Sequence, residues 1–308
     1  MYKAKSAPPI RATDIISIVL IVLVIIIAWT TPERMWPTIA QALARVGTRL
    51  MARRRRTQRQ RRRLVFDGRF DSSALDRIGT RFLAHRVVAR LQGYREYRPG
   101  GWRPEIQVLG AENIEAALER AHGVLLWVAR SAYSDLVTKK GLWEAGYWVS
   151  HLSRPSHNIS STRFGIRFLN PTWTRVEDRF LGERVRIRDD DSGSALAILR
   201  QRLKENQIVS ITVLDRAKRT VQVDFLSTKL RLATAPLHLA RTTKAILLPV
   251  FTFKRETGVF IVDVQSPLIG EGDNQEEPYK SVCQRYARRC ERFVLHYPDQ
   301  WSQTWGLD

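Results

Sequence analysis

The sequence predicts a layered α/β domain behind one N-terminal transmembrane helix, and three observations carry that expectation. From Arg103 onward, apolar runs of strand length alternate with amphipathic segments of about 8–12 residues, the signature of strands and helices stacked in layers. Near the N-terminus lies a long apolar stretch without a charge. Apolar residues make up 44% of the 308 and charged ones 26%, enough for a large core plus an anchor.

The anchor comes first. Ile15–Trp29 is apolar except for Ser17, and no charge appears between Asp14 and Glu33. Roughly 18 uncharged residues are at the short end of what spans a bilayer. A cleaved signal peptide competes, since Lys3, Lys5 and Arg11 precede the run, but the following TTPERMWP offers no small-x-small cleavage site. Trp29 and Trp36 bracket the exit and suit an interfacial belt. Arg34–Arg63 then holds eleven arginines and no acid, a composition that resists translocation and stays cytoplasmic. A single-pass anchor with the main domain in the cytoplasm is expected; a re-entrant or monotopic insertion is the alternative.

The arginine run belongs to a wider bias. The chain has 41 Arg and 10 Lys, and its net charge of +21 predicts attraction to acidic partners. Polybasic segments beside an anchor gain ~1 kcal/mol per basic residue from anionic lipid. A nucleic-acid patch would use the same charge through counterion release. Because the run lacks interleaved aromatics and begins within a few residues of the anchor, Arg34–Arg63 is assigned to an anionic membrane surface, with no nucleic acid expected. Three regions follow: 1–33 as anchor, 34–100 as a basic juxtamembrane helical segment, and 101–308 as the α/β domain.

Within these regions, Ser73–Leu91 shows helical periodicity through Leu75, Ile78, Phe82, Val87, Val88 and Leu91. Ile106–Leu109 reads as a strand, Gly110 as a turn, and Ala111–Ala121 as a helix with Ile114, Ala117 and Leu118 on one face. Further strands are expected at Gly123–Val128, Ile208–Leu214, Ile246–Phe253 and Val259–Val264, with helices at Ser194–Lys204 and Ala235–Thr242. Cys283 and Cys290, seven apart, share a helix face about 10 Å from each other at ~1.5 Å per residue. That is too far for a disulfide, and two cysteines make no metal site. No cofactor is expected. The chain holds no Gly-rich phosphate loop, no Gly-x-Ser-x-Gly elbow and no Cys/His metal spacing.

The chemistry concentrates in Gly123–Asp135, where the strand Val124–Val128 feeds a short polar turn that ends on an acid. This block resembles the active-site block of the lipid A biosynthesis (lauroyl/myristoyl) acyltransferases of the lysophospholipid acyltransferase superfamily. Six blocks resemble that family in the same order: residues 108–127 leading into the strand, SRPSH at 153–157, Gly193–Asp215, Val223–Thr242, AILLPVF at 245–251 and YPDQW at 297–301. The resemblance implies a central mixed sheet and a bacterial inner-membrane location. It also implies an acyl thioester donor, on acyl carrier protein or coenzyme A, and a hydroxyl on a lipid A-type or other glycolipid or phospholipid acceptor.

In that family the strand is followed by His-x4-Asp or His-x4-Glu, and the matching positions here are Arg130 and Asp135. The acid is kept and the base is gone. Arginine is always protonated and only donates, so it cannot take a hydroxyl proton. Loss of a positioned base typically costs ~10²–10⁴ in rate. None of the six histidines (His85, His122, His151, His157, His238, His296) has an acid five positions later. Three readings of Arg130 and Asp135 therefore stand open: a structural ion pair in a site that has lost catalysis, a divergent active site, or neither residue in the site. In the divergent reading, Asp135, His151 or His157 acts on the acceptor while Arg130 binds phosphate or oxyanion. Arg154 matches the family's Arg-Pro arginine and is the oxyanion or phosphate candidate. Ser131, Tyr133, His157 and Asp215 are assigned to substrate binding.

Overall fold

The computed structural model describes residues 8–50, 52–154, 159–187, 192–213, 217, 219–268 and 278–302. Four helices come before the sheet: α1 (Ala12–Thr30), α2 (Trp36–Leu50), α3 (Ala52–Phe66) and α4 (Ser72–Arg95). Asp71 caps α4, its carboxylate accepting the amide of Ala74 at 2.6 Å. The chain then alternates as expected: β1 (Ile106–Leu109), α5 (Ala111–Glu119), β2 (Val124–Val128), α6 (Val137–Glu144), β3 (Val149–Ser153), α7 (Pro171–Asp178), β4 (Glu183–Arg186), α8 (Ser192–Lys204) and β5 (Ile208–Thr212). A hairpin of β6 (Thr220–Phe225) and β7 (Thr228–Ala233) follows. After it come α9 (Ala235–Thr243), β8 (Ile246–Lys254), β9 (Phe260–Val264) and α10 (Tyr279–His296).

Seven strands form a mixed sheet in the order β1-β9-β8-β2-β5-β3-β4. β8, β2, β5, β3 and β4 run parallel, while β9 turns back antiparallel to β8 and takes β1 along. β2 lies in the middle and is buried throughout. Its side chains alternate between two cores. Leu125, Trp127 and Ala129 face the cluster built with α8, α9, α10 and the hairpin. Val124, Leu126 and Val128 face the cluster built with α1, α2, α5, α6 and the C-terminal half of α4.

The expected strands and helices of the domain all form, with ends shifted by a few residues. The Ser73–Leu91 periodicity extends to Arg95, and the strand at 208 stops at Thr212. Gly110 does turn the chain, at φ +72°, with Val264 O so close that a Cβ would meet it at 1.9 Å. Cys283 and Cys290 are both buried and free in α10, and burial pushes the Cys283 thiol up to about 12.

The arginine run is helical, and part of it turns inward. Arg62 is buried and donates to Leu75 O at 3.4 Å; burial lowers its guanidinium to about 10, opposed by the charge of Asp76. Val65 and Phe66 complete the first core.

Where α4 crosses α7, Gly93 lets the helix approach the Trp173 ring so closely that a Cβ would sit 2.2 Å from Cζ3. In an open helix, Gly→Ala gains roughly 1 kcal/mol. Here overpacking of ~1–3 kcal/mol outweighs it. Gly93→Ala therefore lowers the thermal unfolding midpoint, and a raised midpoint would show that α4 does not press on Trp173.

Candidate active site

Ligands of open α/β sheets bind beyond the carboxyl ends of the parallel strands. At that end of β2 the chain passes through Arg130 into a tight turn before α6. Ser131 is buried, and its Oγ accepts the amides of Tyr133 (3.3 Å) and Ser134 (3.1 Å). Ser134 Oγ in turn accepts the Ser131 amide at 3.1 Å. The Ser131 hydroxyl is thus engaged in shaping the turn.

A second element clamps the turn from outside. The Ala132 amide donates to Gln300 O at 2.7 Å, the Ser302 amide donates to Arg130 O at 3.2 Å, and Ser131 bridges to Trp301. The Gln300 side chain grips the end of β8, taking the Lys254 amide and giving to the Lys254 carbonyl, both at 2.7 Å. Trp301 is fully buried against Phe225, with ring centroids 5.5 Å apart. The YPDQW block is therefore a strap over the strand-to-helix turn.

Asp135, past the turn, lines a cleft together with Tyr133, Trp173 and, from α4, Arg86, Arg90 and Gln92. The enclosed space is about 10 Å³, room for about one water molecule. Cations dominate it. Burial lowers Arg86 from its ordinary value, Arg90 and Arg130 push the same way, and Asp135 opposes them. Arg86 therefore feels two arginines against one carboxylate. The Arg90 guanidinium stacks on Trp173, 4.1 Å from the ring centroid, and its Nη1 is buried without a hydrogen-bond partner among the described residues.

The floor of the cleft is fixed by Glu177, which is 0% exposed. Its carboxylate accepts Trp173 Nε1 at 2.6 Å and Arg184 Nη2 at 2.7 Å, and pairs with Lys139 Nζ at 3.0 Å. The same Lys139 ammonium donates to Asp135 O at 2.6 Å. One buried carboxylate thus ties together α6, α7 and β4, and through them the aromatic seat of Arg90 and the backbone of Asp135.

Tyr133 opens a second chain of contacts. Its hydroxyl lies 2.7 Å from His85 Nδ1, and His85 Nε2 lies 3.5 Å from Asp299 of the strap. Burial, with the charge of Asp299, raises the Tyr133 phenol and keeps it protonated. With that hydroxyl donating to Nδ1, His85 directs its Nε2 proton at Asp299.

The remaining expected residues lie elsewhere. Arg154 follows β3 and is exposed, outside the lining of the cleft. His151 sits inside the sheet, its Nδ1 2.8 Å from Oγ of Ser210, its register partner on β5. His157 and Asp215 lie outside the described residues. Arg86, Arg90, His85 and Asp299 were not singled out by the sequence. The four-residue spacing of Arg86 and Arg90 was visible as one helix face, but nothing local linked that face to residue 135.

Over residues 3–305 the sequence matches the model of the bacterial lipid A biosynthesis acyltransferases. The chain belongs to that family. Among curated proteins no match is found. Membership in the lipid A acyltransferase family indicates acyl transfer in lipid A biosynthesis as the activity, with an acyl donor and a lipid acceptor.

The Asp299–His85 contact has a pH signature. Burial raises Asp299, but the hydrogen bond and charge of His85, with Arg81, outweigh it and hold the carboxyl below its ordinary range. A depressed carboxyl stabilises the fold above its unfolded value of about 3.9, and that stabilisation is lost as pH falls through the lower folded value. Asp299→Asn should therefore lower the unfolding midpoint near neutral pH, and the gap to wild type should close below about pH 4. A gap that persists unchanged into acid would show that the ionised carboxylate contributes nothing there.

Proposed function

We propose that this protein transfers a fatty acyl group from an acyl thioester, on acyl carrier protein or coenzyme A, to a hydroxyl of a lipid A-type or related glycolipid or phospholipid acceptor. The observation that carries the proposal is the excess of cation in the cleft near the end of β2, which Arg86 and Arg90 line with the carboxylate of Asp135 and where the charge of Arg130 also acts on Arg86. A half-buried cluster of guanidiniums favours an anion, and their planar forks match phosphate oxygens two at a time. An acceptor carrying phosphate would bind its headgroup at the mouth of the cleft, which sets its hydroxyl beside the turn.

In the reaction the acceptor oxygen attacks the thioester carbonyl and loses its proton. The C–S bond then breaks, and the thiol leaves with a proton. Arg130 stands where the family places its base and supplies positive charge for the developing oxyanion instead. Arg154, just past the end of β3 and two strands from β2, is a further proposed donor. The proton goes to Asp135 or, through Tyr133, to His85. The arginines of Arg34–Arg63 hold the domain on anionic lipid at the cytoplasmic face of the inner membrane.

The absence of histidine at position 130 favours a second reading, in which the chain binds acyl-lipid or a partner enzyme without turning over. Lipid mass spectrometry on cells lacking the gene separates the two. Transfer predicts loss of one acyl chain from a specific lipid, restored by wild type and not by Asp135→Ala. An unchanged acylated-lipid profile, or equal rescue by both forms, would establish the binding role.

A further inference from the structure

The apolar helix α1 carries an inference independent of the acyl-transfer reading. Its two ends are hydrogen-bonded to the same domain. At the N-terminal end, the amides of Arg163 and Phe164 donate to Pro8 O and Pro9 O, both at 3.0 Å. Asp14, 1% exposed, accepts the hydroxyls of Ser160 at 2.5 Å and Thr162 at 2.8 Å. At the C-terminal end, Trp29 Nε1 donates to Tyr94 O at 3.1 Å, Arg98 donates to Trp29 O at 3.0 Å, and Arg95 donates to Thr31 O at 2.8 Å. Between the ends, Ile21, Val24, Ile25 and Ile27 pack on the second core and Ala28 is fully buried. The inward residues Asp14, Ser17, Ile21, Val24 and Ala28 recur every three or four positions, one continuous helix face.

Asp14 and Trp29 are fifteen residues apart, ~22 Å along a helix axis. Were α1 to cross the bilayer, the segment bonded to Asp14 would lie near the far interface while Tyr94–Arg98 stayed at the near one. Residues 159–169 include Arg163 and Arg167 and irregular backbone, and hydrocarbon tolerates neither facing lipid. The outward face tells the same story from the other side. Ile15, Ile16, Val19, Leu20, Val22, Leu23 and Ile26 are each about half exposed, an apolar strip running the length of the helix and left uncovered by the described residues. Both flanks are basic as well: Lys3, Lys5 and Arg11 before the helix, and Arg34 with the following arginines after it. Opposite flanks of a crossing helix ordinarily differ in that charge.

We infer that α1 lies in the plane of one leaflet, clamped along the domain, with its outer strip in acyl chains and both basic flanks on headgroups of the same surface. The occupant of the strip is lipid hydrocarbon, and the domain is a monotopic one that meets the membrane along a whole helix. Embedding of this kind needs only an apolar face about 5–10 Å deep, which a helix lying flat provides. It also holds α4, which carries Arg86 and Arg90, at a fixed height above the lipid, because α4 supplies the contacts at the C-terminal end of α1.

Sidedness of the two ends tests this. Ile10→Cys and Met35→Cys place single reactive thiols at exposed positions flanking the helix, and the native Cys283 and Cys290 are buried. A membrane-impermeant maleimide is applied to the full-length protein in spheroplasts and in inverted inner-membrane vesicles. Both cysteines should react in the same preparation and be protected in the other. Reaction of Ile10→Cys in one and Met35→Cys in the other would overturn the inference and establish a crossing helix. Neither outcome depends on whether acyl transfer is observed.

Discussion

The geometry of the cleft depends on the burial of one charge. Glu177 has no access to water, and an ionised carboxylate in that position is tolerated only when fully paired. Lys139, Arg184 and the Trp173 indole pair it, and each comes from a different place in the fold. The consequence reaches beyond the carboxylate itself. Trp173 is turned so that its ring seats the Arg90 guanidinium, and Lys139 is placed so that it also takes the Asp135 carbonyl. A second buried carboxylate, Glu96, pairs with Lys140 at 2.9 Å one residue further along α6, and the Arg179 guanidinium donates to the Glu96 carbonyl at 2.7 Å. The cationic cleft therefore rests on a charge-paired base, with Asp135 as the carboxylate inside it.

Under the proposed match of position 130 to the family's histidine, that arrangement gives the arginine there a physical meaning. Replacing a histidine by an arginine removes a proton acceptor and adds a permanent charge beside two others. A cluster of that sign is poor at withdrawing a proton and good at holding phosphate or an oxyanion. Of the two proposed proton acceptors, Asp135 shares the cleft with that charge and His85 is reached through Tyr133. His85, Arg86 and Arg90 all come from α4, and His85 alone of the three reaches Tyr133 and, on the strap, Asp299.

Much of the fold was legible because the parallel strands are buried on both faces and read as unbroken apolar runs. β2, β5 and β8 were found for that reason. β3 and β4 were not, since VSHLS and ERVR interleave polar residues with few apolar ones and are too short to show a period. The β6–β7 hairpin alternates lysine, arginine and aspartate with its apolar residues and has no Asn-Gly or Asp-Gly turn to announce it. α10 was expected only as the helix that carries Cys283 and Cys290, its extent masked by its charged residues. At the site, the turn from Arg130 to Asp135 was legible as a block, and YPDQW as a signature without a role. The strap contacts join residues 46 to 214 positions apart, and the Arg86–Arg90 face meets Asp135 and Trp173 from 49 and 83 positions away, separations that no local pattern encodes. The apolar helix was equally plain in the sequence, whereas the hydrogen bonds that clamp both its ends to one domain were not.

The central claim is that the cleft lined by Arg86, Arg90 and Asp135, beside Arg130, is where an acyl chain is passed to a phosphorylated acceptor. Steady-state kinetics of the purified full-length protein, with an acyl thioester and a phosphorylated lipid A-type acceptor, address it most directly. Asp135→Ala should lower kcat by ~10²-fold or more, and Arg86→Ala with Arg90→Ala should raise KM for the acceptor by about tenfold or more while kcat changes less. An Asp135→Ala protein that turns over at the wild-type rate, or arginine variants with unchanged KM, would place the reaction somewhere other than this cleft.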